Sequence, residues 1–533
     1  MAMRMPLFPF QGLAFSAFMD RGTMLLALDT GLGKTATSIA IAEDLLARRK
    51  VRSVLIVVPA NLKYQWAKSL TKFTDVPSKP VKVKRKLIDI PLPEYCAIID
   101  GTPERRQRQY ELARQLKTEY IIVGYDTLVS DWADIETLNC AFSILDEASM
   151  IKTPGAERTR AIKDRLRTPY RLALTATPIE NAPEDVFSIM QWVDKTVLGR
   201  WDLFDKAYVI RSTDGAVLGY KNLNVLFDRL GTAMFRRKRT DPDVRDYLPD
   251  VEHHVWEVDT TDEILEAYVD MARDLIDAQE ASAPRASTFS LAAHYGASPG
   301  TSNAGSMGQI MSIHTCMEML LDYPPMIAES ARKEGSQYAV DLIASGFAPP
   351  AATPKIDYVV GRVNDILRGD PDAKVILFSR YRGMLDVLNR DLEHHGCVQY
   401  HGELTPSAKE SAIASFLEDD DVRVFISSHA GAYGTDLPVA NWLINIDLPW
   451  GDGLATQING RHVRASSAFN VVHVVDVITR RTIEARKMEV RMFKAAISLA
   501  AIDGKTLNGR VYKDVVSLFK HARLVIEAWE NNE

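Results

Sequence analysis

The sequence predicts an α/β protein with two tandem doubly wound parallel-sheet lobes and helical insertions between them. Short apolar runs alternate with amphipathic stretches over residues 1–234, the signature of buried parallel strands separated by helices. A second alternation of the same kind begins after the proline-rich break at residues 347–354. The third observation is a glycine loop, Asp29-Thr30-Gly31-Leu32-Gly33-Lys34-Thr35, between an apolar run at 24–28 and a helix-like run at 36–46. Strand, glycine loop ending in Gly-Lys-Thr, and helix form the layout of a phosphate-binding loop.

Size and composition set the frame. A chain of 533 residues exceeds what one hydrophobic core organises, so several domains are expected. With 46% hydrophobic and 25% charged residues it reads as a globular protein with ample core. No apolar run approaches the ~18–20 residues that span a bilayer, so no membrane partner is expected. The first ten residues are apolar but lack the charged and long hydrophobic regions of a secretory signal. Cys96, Cys140, Cys316 and Cys397 lie far apart and form no Cys-x-x-Cys unit, which argues against a zinc module or a disulfide framework. A reducing, cytoplasmic setting, in a bacterium or a phage-infected host, is the expectation. The net charge of −6 does not advertise nucleic-acid binding, although basic stretches at 82–86, 105–108 and 236–239 could form local grooves. The doublets His253-His254 and His394-His395 lack metal-ligand spacing with carboxylates and read as surface or packing residues.

In chain order, strands are expected at 24–28, 54–58, 97–99, 120–123, 142–145 and 171–175, with helices at 36–46, 104–116 and 157–166. Residues 282–307 are rich in Ala, Ser and Gly without periodicity and read as a mobile loop. Strands follow at 374–378, 422–427, 442–447 and 470–475, then helices at 482–497 and 512–529. The expected domains are an N-terminal lobe at 1–234, a linker and helical insertion at 235–354, a C-terminal lobe at 355–500 and a helical extension at 501–533.

The loop chemistry follows from its residues. Backbone N–H groups of such a loop, from Asp29 to Ala36, point inward at a polyphosphate, and the helix N-terminus adds partial positive charge. Lys34 reaches the terminal phosphates and Thr35 supplies a hydroxyl to Mg. Downstream, the run 143–145 ends in Asp146-Glu147, two carboxylates at a strand's C-terminal edge. Asp146 is suited to hold Mg through water, and Glu147 to position or deprotonate the attacking water. Read alone, the loop could be a glycine turn, and the acid pair a helix cap with a first-turn acid.

Further motifs fall in a fixed order. Pro9-Phe10-Gln11 precedes the loop. Val57-Val58-Pro59-Ala60-Asn61 with Gln65-Trp66, Val123-Gly124-Tyr125-Asp126-Thr127-Leu128 and Leu174-Thr175-Ala176-Thr177-Pro178 follow it. Phe235-Arg236-Arg237-Lys238-Arg239 leads to Asp243-Val244 and Leu248-Pro249. The second half carries Lys374 to Tyr381, Tyr400-His401-Gly402, a glycine-rich stretch from Ser427 to Leu437, Gln457-Ile458-Asn459-Gly460-Arg461-His462-Val463-Arg464 and Thr482-Ile483-Glu484. Over nearly its whole length the chain resembles superfamily 2 helicase-like ATPases, and more narrowly the Swi/Snf-type DNA translocases.

That resemblance implies two RecA-like lobes with ATP and Mg between them. Gln11, the residues from Asp29 to Ala36, and Thr35 and Asp146 as metal ligands would come from one lobe. Gly434, Asp436, Gln457, Arg461 and Arg464 would come from the other. Gln11 would contact adenine, and Arg464 would be the principal arginine finger with Arg461 its partner. The resemblance also implies nucleic-acid contact or coupling by Asn61, Tyr125, Thr175, Thr177, Arg236, Arg237, Arg380 and His401. The chain departs from the family pattern at Ser149, Thr153, Ala176, Glu180, Asp436 and Ala465-Ser466. The implied function is a monomeric, ATP-dependent motor on double-stranded DNA. A strand-separating DNA or RNA helicase is the alternative, and a degenerate ATPase that only clamps its partner is a third.

Overall fold

The computed structural model describes residues 3–83, 86–213, 215, 217–281, 304–428, 436–449, 452–464, 467–504, 511–512 and 518–531. Gly434 and most of the loop expected at 282–307 lie outside the described residues. The chain divides into two units. The first comprises Met1–Pro249, Asp452–Ala465 and Lys494–Tyr512, and the second Asp250–Gly451, Ser466–Phe493 and Lys513–Glu533.

The first unit is organised by a seven-stranded sheet. Across it run Met234–Arg237, Thr23–Leu28, Tyr170–Leu174, Phe142–Leu145, Val54–Val58, Tyr120–Gly124 and Cys96–Ile98, every pair parallel. Such strands are covered on both faces, which is why Val54–Val58 and Tyr120–Gly124 are buried at every position. Phe10, Phe18, Leu26, Ile41, Ile56, Trp66, Ile122, Phe142 and Ile144 belong to the core against the sheet. The strand order matters for chemistry. Thr23–Leu28, Tyr170–Leu174 and Phe142–Leu145 are neighbours, so the segments leaving their C-terminal ends converge: the glycine loop, Thr175 to Thr177, and Asp146-Glu147.

The second unit holds a six-stranded parallel sheet in the order Asp250–Val258, Val471–Thr479, Trp442–Asn445, Val375–Phe378, Val424–Ser427 and Cys397–Tyr400. Val375, Leu377, Val424, Ile426, Ile444, Val475 and Val477 form its centre. A separate helical core joins Asp262–Ala281, Ala304–Asp322 and Leu518–Glu530 through Tyr268, Leu275, Ile313, Leu320 and Val525. Among the described residues no helix is long and apolar enough to cross a membrane.

The elements depart from expectation in particular places. The expected lobe boundary at 234 falls at the start of Met234–Arg237, the edge strand of the first sheet. Residues 452–465, expected in the C-terminal lobe, cluster with the first unit. Asp250–Val258, expected as linker, pairs along nine residues with Val471–Thr479. Its half-exposed edge position let polar Glu252, His253 and His254 mask the two-residue period. Of the basic stretch 82–86, the described residues Lys82, Val83 and Lys86 lie in antiparallel strands, Ser78–Val83 paired with Lys86–Pro91. Tyr512, expected to open a helix, sits in a short strand with Val511, paired antiparallel to Val217–Tyr220, and the helix starts at Leu518. The helix Ala304–Asp322 begins inside the expected loop.

Candidate active site

The glycine loop is held from below. Gly31 and Gly33 adopt left-handed backbone (φ +87° and +75°), which frees the loop to curl before the helix Lys34–Ala47. The buried Gln11 amide donates to the Leu32 carbonyl (3.0 Å), and its Oε1 accepts from the Phe8 amide (2.9 Å). Gln11 thus braces the loop. The Asp29 carboxylate, expected among the nucleotide ligands, faces the other way: Oδ1 pairs with Arg236 (2.6 Å) and Oδ2 accepts from the Arg239 amide (3.1 Å). Arg236 also pairs with Asp503 (2.9 Å). Arg236, expected at nucleic acid or in coupling, is therefore enclosed between two carboxylates and serves to fix the loop. Arg237 pairs with Asp243 (2.8 Å) and lies over the Phe235 ring.

Lys34 projects beneath the loop, its Nζ donating to the carbonyls of Leu28 (2.9 Å) and Asp29 (3.4 Å). Burial lowers its pKa, opposed by Glu147, Asp146 and Asp29. Thr35 and Ala36 are half-buried on the first helical turn, where amides have no intrahelical acceptor.

The acid pair is tightly specified. Trp66 Nε1 donates to Asp146 Oδ2 (2.7 Å), the Glu147 amide to Oδ1 (3.0 Å), and the Tyr125 hydroxyl to the Asp146 carbonyl (2.7 Å). Tyr125, expected to track nucleic acid, is buried and supports the acid pair instead. Glu147 takes a left-handed backbone at φ +51°, a costly conformation for a residue with a side chain and a frequent mark of a functional position. Burial, then the neighbouring Asp146, pushes its carboxyl up to about 7 against the pull of Lys34 and Arg461. Burial raises Asp146 as well. Thr175 is buried beside them, its hydroxyl accepting from the Thr177 amide (3.1 Å).

The segment 452–464 closes on this set within the first unit. Gln457 Nε2 donates to Glu147 Oε2 (3.0 Å). Arg461 is buried and acts electrostatically on Glu147. Arg464 donates to the carbonyls of Gly460 and Val463 (2.9 Å for the latter) and lies against the loop: a Cβ on Gly31 would stand 3.2 Å from its Nη1 and 2.6 Å from the Val463 carbonyl. Gly460 approaches as closely, since a Cβ there would fall 1.9 Å from the Thr30 hydroxyl and 2.8 Å from Arg239. Arg239 itself donates to the Thr30 hydroxyl and is half-buried.

Other expected residues lie elsewhere. Asn61 is exposed on the turn Ala60–Leu62 after the strand Val54–Val58. In the second unit, Arg380 pairs with Glu318 (2.9 Å), and His401 is buried at the end of Cys397–Tyr400 rather than at a surface. Asp436 is exposed. Trp66, Arg239 and Gly460 stand inside the motifs, but their local sequence does not specify the roles they carry. Their signal is position: the first turn of the helix Lys63–Phe73 that follows Asn61, the end of an arginine run, and the glycine of Gln-x-x-Gly-Arg.

The SNF2-related domain model matches residues 11–296, more than half of the 533-residue chain. The chain belongs to the SNF2-related family. The helicase conserved C-terminal domain model matches residues 359–466. This SNF2-related protein is an ATP hydrolase of the helicase class. It is 23% identical over 465 residues to the uncharacterized ATP-dependent helicase YqhH of Bacillus subtilis, covering 87% of this chain and 73% of YqhH. It is 23% identical to the DNA repair and recombination protein RAD54B of Mus musculus, covering 90% of this chain and 53% of that protein. It is also 23% identical to the DNA excision repair protein ERCC-6 of Homo sapiens, covering 92% and 31%. The chain thus spans about half or less of the latter two. Among solved structures, the Pyrococcus furiosus Hef helicase domain shares the fold, with a TM-score of 0.50 and 16% identity over 91% of this chain and 98% of that one. A Sulfolobus solfataricus SWI2/SNF2 ATPase core in complex with dsDNA matches at TM-score 0.41 and 21% identity, over 99% and 96%.

Proposed function

We propose that this SNF2-related ATPase is a motor that uses ATP hydrolysis to move along double-stranded DNA without obligatory strand separation, acting as a monomer in the cytoplasm. The observation that carries the hydrolytic part is the contact of Gln457 with Glu147. It places Gln-x-x-Gly-Arg-x-x-Arg on the same carboxylate that the strand Phe142–Leu145 presents. Membership of the SNF2-related family and relatives named for DNA repair support the DNA part.

The residues divide the work. Loop amides and Lys34 hold the polyphosphate, and Gln11, which braces Leu32, contacts adenine. Glu147, its carboxyl near neutral pH, orients and accepts a proton from the attacking water. Arg461 and Arg464 supply permanent, planar positive charge for the transferred phosphoryl group. A Mg ion fits the donor set, because Asp146 and Thr35 offer hard oxygens and Glu147 adds a second carboxylate next to Asp146. When bound, it neutralises charge on the phosphates. Thr175 and Thr177, in the segment that leaves the strand Tyr170–Leu174 next to the acid pair, pass the state of the site to a bound strand.

The test is steady-state ATPase activity with duplex DNA, single-stranded DNA and RNA, alongside displacement of a third strand from a DNA triplex. Duplex DNA stimulates most and the third strand is displaced. Equal stimulation by RNA, or unwinding of a forked duplex at the ATPase rate, favours the strand-separating alternative.

A further inference from the structure

Outside the nucleotide site, three metal-ligating side chains meet on the edge of the second unit's sheet. Strand Asp250–Val258 runs parallel to Val471–Thr479 with Glu252 opposite His473. Glu252 and His254 are two apart, so they share one face of their strand, and His473 joins them across the pair. The doublet 253–254 read as surface in the sequence because its partner lies 219 residues further along the chain.

The donor atoms form a triangle. His254 Nε2 and His473 Nδ1 are 3.2 Å apart, His473 Nδ1 and Glu252 Oε2 3.3 Å, and His254 Nε2 and Glu252 Oε2 3.7 Å. Ligands at about 2.0–2.1 Å from a tetrahedral Zn ion stand about 3.3–3.4 Å from each other. The observed sides bracket that value, so one ion just above the triangle reaches all three atoms without rearrangement of the strands. No other cluster of this kind occurs among the described residues. The His473 ring is also fixed, stacked on Trp442 with centroids 4.0 Å apart and planes 22° apart. Glu252 is exposed and the two histidines half-buried, which leaves a fourth position open to water.

We propose that Glu252, His254 and His473 form a binding site for one borderline divalent transition-metal ion, such as Zn, that ties the edge strand Asp250–Val258 to Val471–Thr479. Two imidazoles and a carboxylate suit Zn, Co(II) or Ni(II) over Mg or Ca, which prefer all-oxygen shells. An ion that binds only the folded strand pair stabilises it by mass action. The site is independent of the nucleotide reading, because none of its residues takes part there.

The experiment uses the full chain without a polyhistidine tag, stripped with chelator and kept in excess Mg so that hard-oxygen sites are occupied. Zn and Co(II) are titrated by calorimetry and visible absorption. One equivalent binds, Co(II) gives the intense bands of a four-coordinate site, and the melting temperature rises with added Zn. His254→Ala, His473→Ala and Glu252→Gln each weaken binding at least tenfold. His253→Ala, on the opposite face of the same strand, leaves it unchanged. Equal affinity of the parent and His254→Ala, or loss of binding in His253→Ala, overturns the assignment. So does a Zn-independent melting temperature in the parent.

Discussion

Glu147 in the first unit and Glu318 in the second are carboxylates that burial drives the same way and neighbours drive apart. At Glu147, burial and Asp146 overcome Lys34 and Arg461, and the carboxyl rises to about 7. At Glu318, burial is overcome by Lys487, His314 and Arg380, which hold the carboxyl well below the usual range. The partners explain the contrast. Lys34 spends its hydrogen bonds on the carbonyls of Leu28 and Asp29, whereas Glu318 receives Lys487, the Arg380 guanidinium (2.9 Å) and the Tyr381 hydroxyl (2.5 Å). An anion left short of positive charge is prepared for a ligand that brings it. A closed cluster is prepared for nothing but holding its helices and strand together.

The sharpest way to break this comparison is to neutralise each carboxylate in turn. Glu147→Gln lowers kcat by about 10²–10⁴-fold, the usual contribution of a positioned general base, while ATP binding measured by fluorescence titration persists. Glu318→Gln leaves the turnover of folded protein close to that of the parent. Hydrolysis near the parental rate in Glu147→Gln removes the base assignment. The next effect lies in the second unit. Lys487→Met leaves Glu318 with one cation fewer in a buried setting, and breaking such a pair costs about 3–5 kcal/mol of stability, read by denaturant titration.

A smaller effect tests the close approach at the loop. Gly460→Ala puts a methyl group against Thr30, and relief of such overpacking costs about 1–3 kcal/mol. Because Gly460 positions Arg461 and Arg464, the change appears mainly in kcat. An alanine variant with parental kcat and KM shows that the segment 452–464 does not need this contact during turnover.

The two regions also differ in how much of them the sequence disclosed. The nucleotide site is built from residues adjacent in sequence at strand ends, so Gly31, Gly33, Lys34, Asp146 and Glu147 could be picked out by local pattern. Gln457, Arg461 and Arg464 were legible as a motif, and the structure adds that Gln457 meets Glu147. What stayed hidden depends on long-range packing. Nothing local says that Tyr125 and Trp66 converge on Asp146, that Arg236 bridges Asp29 to Asp503, or that Arg380 is consumed by Glu318. Each is a polar side chain whose partner lies tens to hundreds of residues away, and a basic or aromatic residue in a motif looks the same whether it faces solvent or a buried carboxylate. The edge strand Asp250–Val258 was missed for a related reason, since its outward face is polar.

The mildest test asks whether Trp66 tunes the acid pair. Glu147 is raised from 4.5 to about 7, so the folded protein keeps a proton over that interval that the unfolded chain has lost. Its contribution to stability is therefore greatest below 4.5 and declines as pH rises toward 7. Activity runs the other way, because the base must be ionised: kcat/KM, which reports the free enzyme, climbs through an acid limb near pH 7. Asp146 and Glu147 titrate as a pair, so this limb marks loss of the last shared proton. The Trp66 indole favours the ionised Asp146 by donating to Oδ2. Trp66→Phe removes that donor, makes the doubly ionised pair less favourable and moves the limb up by about one unit, equivalent to about 1.4 kcal/mol. A loss of packing alone would lower stability and leave the limb in place, so an unmoved limb assigns Trp66 to the core rather than to the chemistry of Asp146.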